Sequence, residues 1–163
     1  MRQLCRSTGS PEGFSLVEVL IVVLMLAILA MIVVPQFAIS QDEARDAALS
    51  TDLKAIRRQI ELYRLQHGGR GPEENENGQF DTANFVNRLI GRTTPQGAID
   101  PNGECGPYLP IWPSNPFCEA AVAEQVKFGK TNGPPRDGTS GWYFDILLRQ
   151  IYPNSTEGAE SLD

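Results

Sequence analysis

Polarity divides the chain into three stretches with different periods. From Val19 to Val34 every residue is apolar, and Phe14 to Val17 together with Phe37 to Ile39 extend the run to residues 14–39, with one carboxylate, Glu18, near its start. As a helix rising about 1.5 Å per residue, this run is long enough to cross a hydrocarbon core of about 30 Å. Beyond Ile39 the polarity rises but a helical period persists. Leu49, Leu53, Ile56, Ile60 and Tyr63 follow one another by 4, 3, 4 and 3 residues, which lays one apolar stripe along a helix. Gly68-Gly69 ends the pattern, with Arg64 and His67 in the last turn, where cations complement the helix dipole. The pattern predicts one helix from Phe14 to His67, 54 residues or roughly 80 Å, with 14–39 in a membrane and 40–67 as its amphipathic continuation. Pro35 removes a hydrogen bond inside that helix and crowds the preceding turn, so a kink is expected there.

Residues 68–163 read as a globular head. "GGRGPEENENGQ" has no period and predicts a solvated loop. Thr82 is placed to cap a short helix running to Arg88 or Ile90, with Phe85, Val86, Leu89 and Ile90 on its packed side and Gly91 at its end. The proline-rich "TTPQGAIDPNGECGPYLPIWPSNPF" predicts an ordered irregular segment, because Tyr108, Leu109, Ile111, Trp112 and Phe117 are too apolar to leave in water. Strands are predicted at Ala121 to Phe128, Trp142 to Leu148 and Arg149 to Tyr152. The fold class is α+β, with a small antiparallel sheet of about three strands resting on the Leu49 to Tyr63 stripe.

Charge and cysteine content narrow the function. A net charge of −6 and a pI near 4.8 give no support to a nucleic-acid partner, since phosphate binding needs an excess of Lys and Arg. Acids Asp42, Glu43, Asp46 and Asp52 come early in the 40–67 segment and bases Lys54, Arg57, Arg58 and Arg64 late, a dipole-matched solvated face that also offers bases of one copy to acids of another. Arg2 and Arg6 place the amino terminus, and Cys5 with it, on the cytoplasmic side of a membrane. Cys105 and Cys118 then lie together beyond it. In an oxidising compartment a bridge between them is open, worth about 2–4 kcal/mol, and their spacing decides neither state. The three cysteines fit no zinc pattern, His67 is the sole histidine, and no HExxH, GxSxG or phosphate-binding glycine loop occurs. The reading is not an enzyme, with no cofactor.

The apolar run is too long for a secretory signal peptide and is followed by Pro-Gln-Phe-Ala rather than a small-x-small site. A plain single-pass anchor explains the hydrophobicity but not Gly13-Phe14 or Glu18. The order Gly13, Phe14, Ser15, Leu16, Val17, Glu18, then the apolar helix and Pro35, resembles the family of type IV prepilins and type II secretion pseudopilins. The resemblance implies a leader at 1–13, cleavage after Gly13 by a prepilin peptidase, and N-methylation of Phe14. It also implies that Glu18 pairs with the Phe14 amine of a neighbouring subunit, so that a buried acid becomes tolerable only in an assembly. It further implies a pilin-like fold, a bacterial inner-membrane location with an extracytoplasmic head, and partners that are other copies, minor pseudopilins and an inner-membrane assembly platform. "GPYLPIWPSNPF" followed by "DGTSGWYFD" resembles the G-type major pseudopilin branch. Calcium is bound in many such heads, but Asp137, Asp145 and Asp100 to Glu104 form no full ligand pattern here. Two alternatives stand beside a secretion pseudopilin: an adhesive or DNA-uptake pilin, and an anchored binding domain that uses Trp112 or Trp142.

Overall fold

The computed structural model describes residues 13–158, with the side chains of 34–39 outside that description. Residues 1–12, expected to be a leader and containing Cys5, are therefore outside the described residues. Helix α1 runs from Leu16 to Gln66, a 3-10 turn spans Thr82–Asn84, helix α2 is Phe85–Ile90, and strands β1 Val126–Gly129, β2 Trp142–Asp145 and β3 Gln150–Pro153 follow. Two compact units divide the chain between Asp42 and Glu43.

The first unit is the apolar part of α1. Leu16–Val33 has a mean hydropathy of 3.2 and none of it is buried by the rest of the chain. Among the described residues this is the one helix long and apolar enough to cross a membrane. The helix continues through Pro35, whose side chain lies outside the described ones, as does the kink expected from it.

The second unit is built on the stripe that the period predicts. Leu49, Leu53, Ile56, Ile60 and Tyr63 are all buried, none more than 2% exposed. Gly68 and Gly69 end α1 with φ of 64° and 92°, and the Gly69 N–H closes a Schellman-type bond on the Arg64 carbonyl, 2.8 Å. Glycine is needed there because a Cβ disfavours positive φ. Helix α2 supplies the hub of the core. Phe85 is fully buried and its ring lies 5.0 Å from Phe144, 5.3 Å from Phe128 and 6.1 Å from Trp112, mostly in the tilted or edge-on geometry that aromatic quadrupoles favour.

Three strands form, in the order β1-β2-β3, and the fold is α+β and pilin-like as expected. Their directions correct the expectation of an antiparallel sheet. β2 and β3 are antiparallel, but β1 pairs with β2 in parallel. A parallel pair needs a connection of about a dozen residues to carry the chain back, and the irregular segment 130–141 is that connection. β1 also starts later than expected. Residues 119–123 fold into a turn closed on the Glu119 carbonyl, and Ala123 lies against Gly141, where a Cβ would meet the Ala123 carbonyl oxygen at 1.8 Å. The capping role given to Thr82 is likewise not seen: it lies inside the 3-10 turn, and no side-chain cap bond forms at Asp81 or Asn84.

Phe85→Ala removes the ring on which three others converge and should cost about 3–5 kcal/mol of head stability. Tyr63→Phe should cost little, because the Tyr63 hydroxyl is buried without a hydrogen-bond partner among the described residues. Denaturant unfolding of the detergent-solubilised chain, followed by near-UV circular dichroism, tests the contrast.

Candidate functional site

The start of α1 carries the residues that the motif singles out. Gly13 lies ahead of the helix with open space around its missing Cβ, and Phe14 is 84% exposed. Ser15 takes the N-cap position, its carbonyl accepting the Val19 N–H at 3.2 Å, and Glu18 stands in the first turn, exposed. Gly13, Phe14 and Glu18 thus lie within six residues, the first two ahead of α1 and the third in its first turn, and all are exposed. The spacing Ser15-x-x-Glu18 is also that of a capping box, and an acid there complements the positive end of the helix dipole. This spacing and the first-turn placement of Glu18 are legible in the sequence, and no capping bond from the Ser15 or Glu18 side chain forms among the described residues.

In the head the acids that form no full calcium pattern in sequence have other partners. Asp137 sits 2.8 Å from the Lys127 ammonium through Oδ2, while Oδ1 accepts from Thr139 and from Asn154 Nδ2. The bonds from Lys127 and Thr139 hold its carboxyl well below the usual carboxylate range. Asp145 is fully buried. Its Oδ1 accepts the N–H of Leu147 and of Leu148, and Oδ2 that of Gly133. Burial alone would raise this carboxyl, but the backbone N–H groups of Leu148, Gly133 and Leu147 outweigh it and leave it lowered. Asp100 turns its own loop, accepting the Asn102 N–H at 2.9 Å. Among the described residues no three His, Cys, Asp or Glu side chains come together as a metal site.

Other predicted positions are structural. His67 is buried, stacked on Tyr63 at 3.8 Å, with Nδ1 donating to the Tyr63 carbonyl and Nε2 3.0 Å from Thr93 Oγ1. Trp142 is fully buried and gives its N–H to the Pro113 carbonyl, so it is core rather than a ligand contact. Cys105 and Cys118 are free, half-buried thiols. Cys105 pairs its backbone with Thr93, Cys118 Sγ lies 3.6 Å from the Ser140 carbonyl, and the bridge left open by sequence is not formed.

Glu73 is the residue that sequence reasoning missed. "GGRGPEENENGQ" reads as solvated, yet Glu73 is 1% exposed and bonds to Arg149 Nε at 2.8 Å, with Arg64 Nη2 at 3.8 Å. Gly71 leaves room beside it, since a Cβ there would meet the Glu73 carboxylate at 2.0 Å and displace that side chain. No local period signals this, because Arg149 lies 76 residues further on.

The described residues define a class: a pilin-like α+β chain with an uncovered apolar amino-terminal helix. The chain is similar to "Type II secretion system core protein G" of Pseudomonas aeruginosa, 40% identical over 56 residues, which is 34% of this chain and 39% of that protein. It is also similar to the protein of the same name from Escherichia coli K12, 27% identical over 62 residues, 38% of this chain and 43% of that one. The chain spans about two fifths of the length of the curated relatives it matches. No family model and no solved structure matches it. The two similarities support a G-type pseudopilin.

The Asp145 carboxyl titrates lower folded than unfolded, so the stability it adds is present above about pH 4 and is lost as the pH falls further. Asp145→Asn places an amide against backbone donors and should cost about 2–3 kcal/mol at neutral pH. It should also flatten the acid limb of the unfolding midpoint measured between pH 7 and pH 2.

Proposed function

We propose that this chain is a structural subunit of a type II secretion pseudopilus, processed after Gly13, methylated on Phe14 and assembled through α1. The observation that carries this reading is the run Leu16–Val33: mean hydropathy 3.2, no part of it buried, and a single charged side chain, Glu18, in its first turn. Apolar surface of that size is stable only against lipid or against other helices like itself. A carboxylate at its start is tolerated there when it meets a cation. Cleavage after Gly13 creates one, the Phe14 amine, in every subunit. The similarity to core protein G supports placing this assembly in a secretion system rather than in an adhesive or DNA-uptake pilus.

On this reading the chain sits in the bacterial inner membrane as a single pass, with its head outside the cytoplasm, until subunits are drawn into the filament. Its partners are prepilin peptidase, other copies, minor pseudopilins and the assembly platform in the membrane. The role invokes no catalysis and no cofactor.

Mass analysis of the amino terminus should find N-methylated Phe14, and an intact Met1 terminus or a different start would sink the processing step. Glu18→Ala should be cut normally yet fail to enter filaments. Glu18→Gln separates two roles, since glutamine keeps the capping-box pattern and loses the charge. Filaments from the glutamine variant, scored by shearing and immunoblot, would assign Glu18 to helix capping instead of pairing.

A further inference from the structure

One groove in the head has the features of a binding surface and takes no part in the processing site. It encloses about 410 Å³ between α1 and the segment Leu109–Ser114. Its walls are apolar, with Leu109 and Trp112 buried and Ile111 71% exposed. Two carboxylates stand on its lining, Asp52 from α1 and Glu124 from the turn before β1. Neither forms an ion pair among the described residues, and burial pushes the Asp52 carboxyl up. Trp112 is 5% exposed in this lining, and among the described residues its Nε1 donor has no acceptor. Asp52 and Glu124 give an apolar groove with no basic residue on its lining two negative charges, which a basic surface from outside would complement.

The same helix carries the complementary charge on another side. Lys54 and Arg58 are exposed, one turn apart, and form no ion pair among the described residues. Like charges at this spacing destabilise a helix, and an outside carboxylate relieves them. At about 100° per residue they project roughly 200° and 240° around the helix from Asp52. A single chain therefore cannot bring these bases to its own groove.

We propose that the groove lined by Asp52, Ile111, Trp112 and Glu124 docks the Lys54–Arg58 strip of a second copy of this chain. Two different surfaces meet, so the contact is head-to-tail and propagates from copy to copy instead of closing a dimer. The inference rests on the filament reading above and adds the head surfaces that set register between neighbours.

The test uses the full-length chain in its membrane, with the photo-crosslinker p-benzoylphenylalanine at Ile111 and, separately, at Leu24 in the apolar helix. The Ile111 adduct should be a dimer of this chain whose linked peptide contains residues 54–58. Lys54→Glu with Arg58→Glu should lower its yield by about tenfold, the scale expected when charged partners are made to repel. Adding Asp52→Lys and Glu124→Lys to the same chain exchanges both faces and should restore it, which damage to the fold would not do. An adduct to another segment or another protein, a yield that ignores the charge reversal, or no rescue each overturns the proposal. Leu24 dimers without Ile111 dimers overturn this inference alone, whereas loss of both overturns the filament reading with it.

Discussion

The architecture depends on one imbalance: the first half of α1 carries far more apolar surface than the chain itself covers. From Leu16 to Val33 no side chain is buried. At about 25 cal/mol per Å² of apolar surface removed from water, this is the largest unsettled term in the molecule. The second half of the same helix resolves its own apolar stripe inside the head. One continuous element thus serves two solvents, and the change comes in a short span, with polar Ser40 to Asp46 following the membrane run directly.

Within the head, order comes from crossings between distant segments. Arg57 donates to the Ile151 carbonyl at 3.1 Å and stacks over Tyr152, while Arg64 donates to the Arg149 carbonyl at 2.7 Å. Two helix arginines therefore hold the last strand against α1. Arg88, almost fully buried, does the same for the loops, bonding the carbonyls of Pro72, Asp81 and Gly97 and the Asp81 carboxylate. The irregular regions are fixed by buried guanidinium groups with many acceptors, which suits segments too rich in proline and glycine to form long ladders.

What was legible in the sequence follows the range of the interaction. The extent of α1, the stripe from Leu49 to Tyr63, the Gly68-Gly69 stop and the α2 core residues Phe85 and Leu89 depend on spacing within a few residues and are found, whereas Ile90, expected on the packed side, is 39% exposed and Arg88 is buried instead. Strand direction depends on how segment 130–141 returns, so the parallel pairing of β1 with β2 carried no local mark. Glu73 is the same kind of case, a loop residue by composition and a buried one by virtue of Arg149. Gly13, Phe14 and Glu18 stand out in the sequence as a motif, and the roles given to them belong to the proposed function. The groove was not legible there, since it assembles from α1, the Leu109–Ser114 segment and the turn before β1.

The outer strands of the sheet bear on how such a chain avoids sticking to itself in the wrong way. β1 is four residues long and carries the Lys127 ammonium, and β3 ends on Pro153, which has no N–H to offer, while its Ile151 carbonyl is already taken by Arg57. Short, charged or proline-ended edges are poor templates for strand addition. The sheet edges of the head thus discourage strand addition, whatever surface the uncovered apolar helix meets.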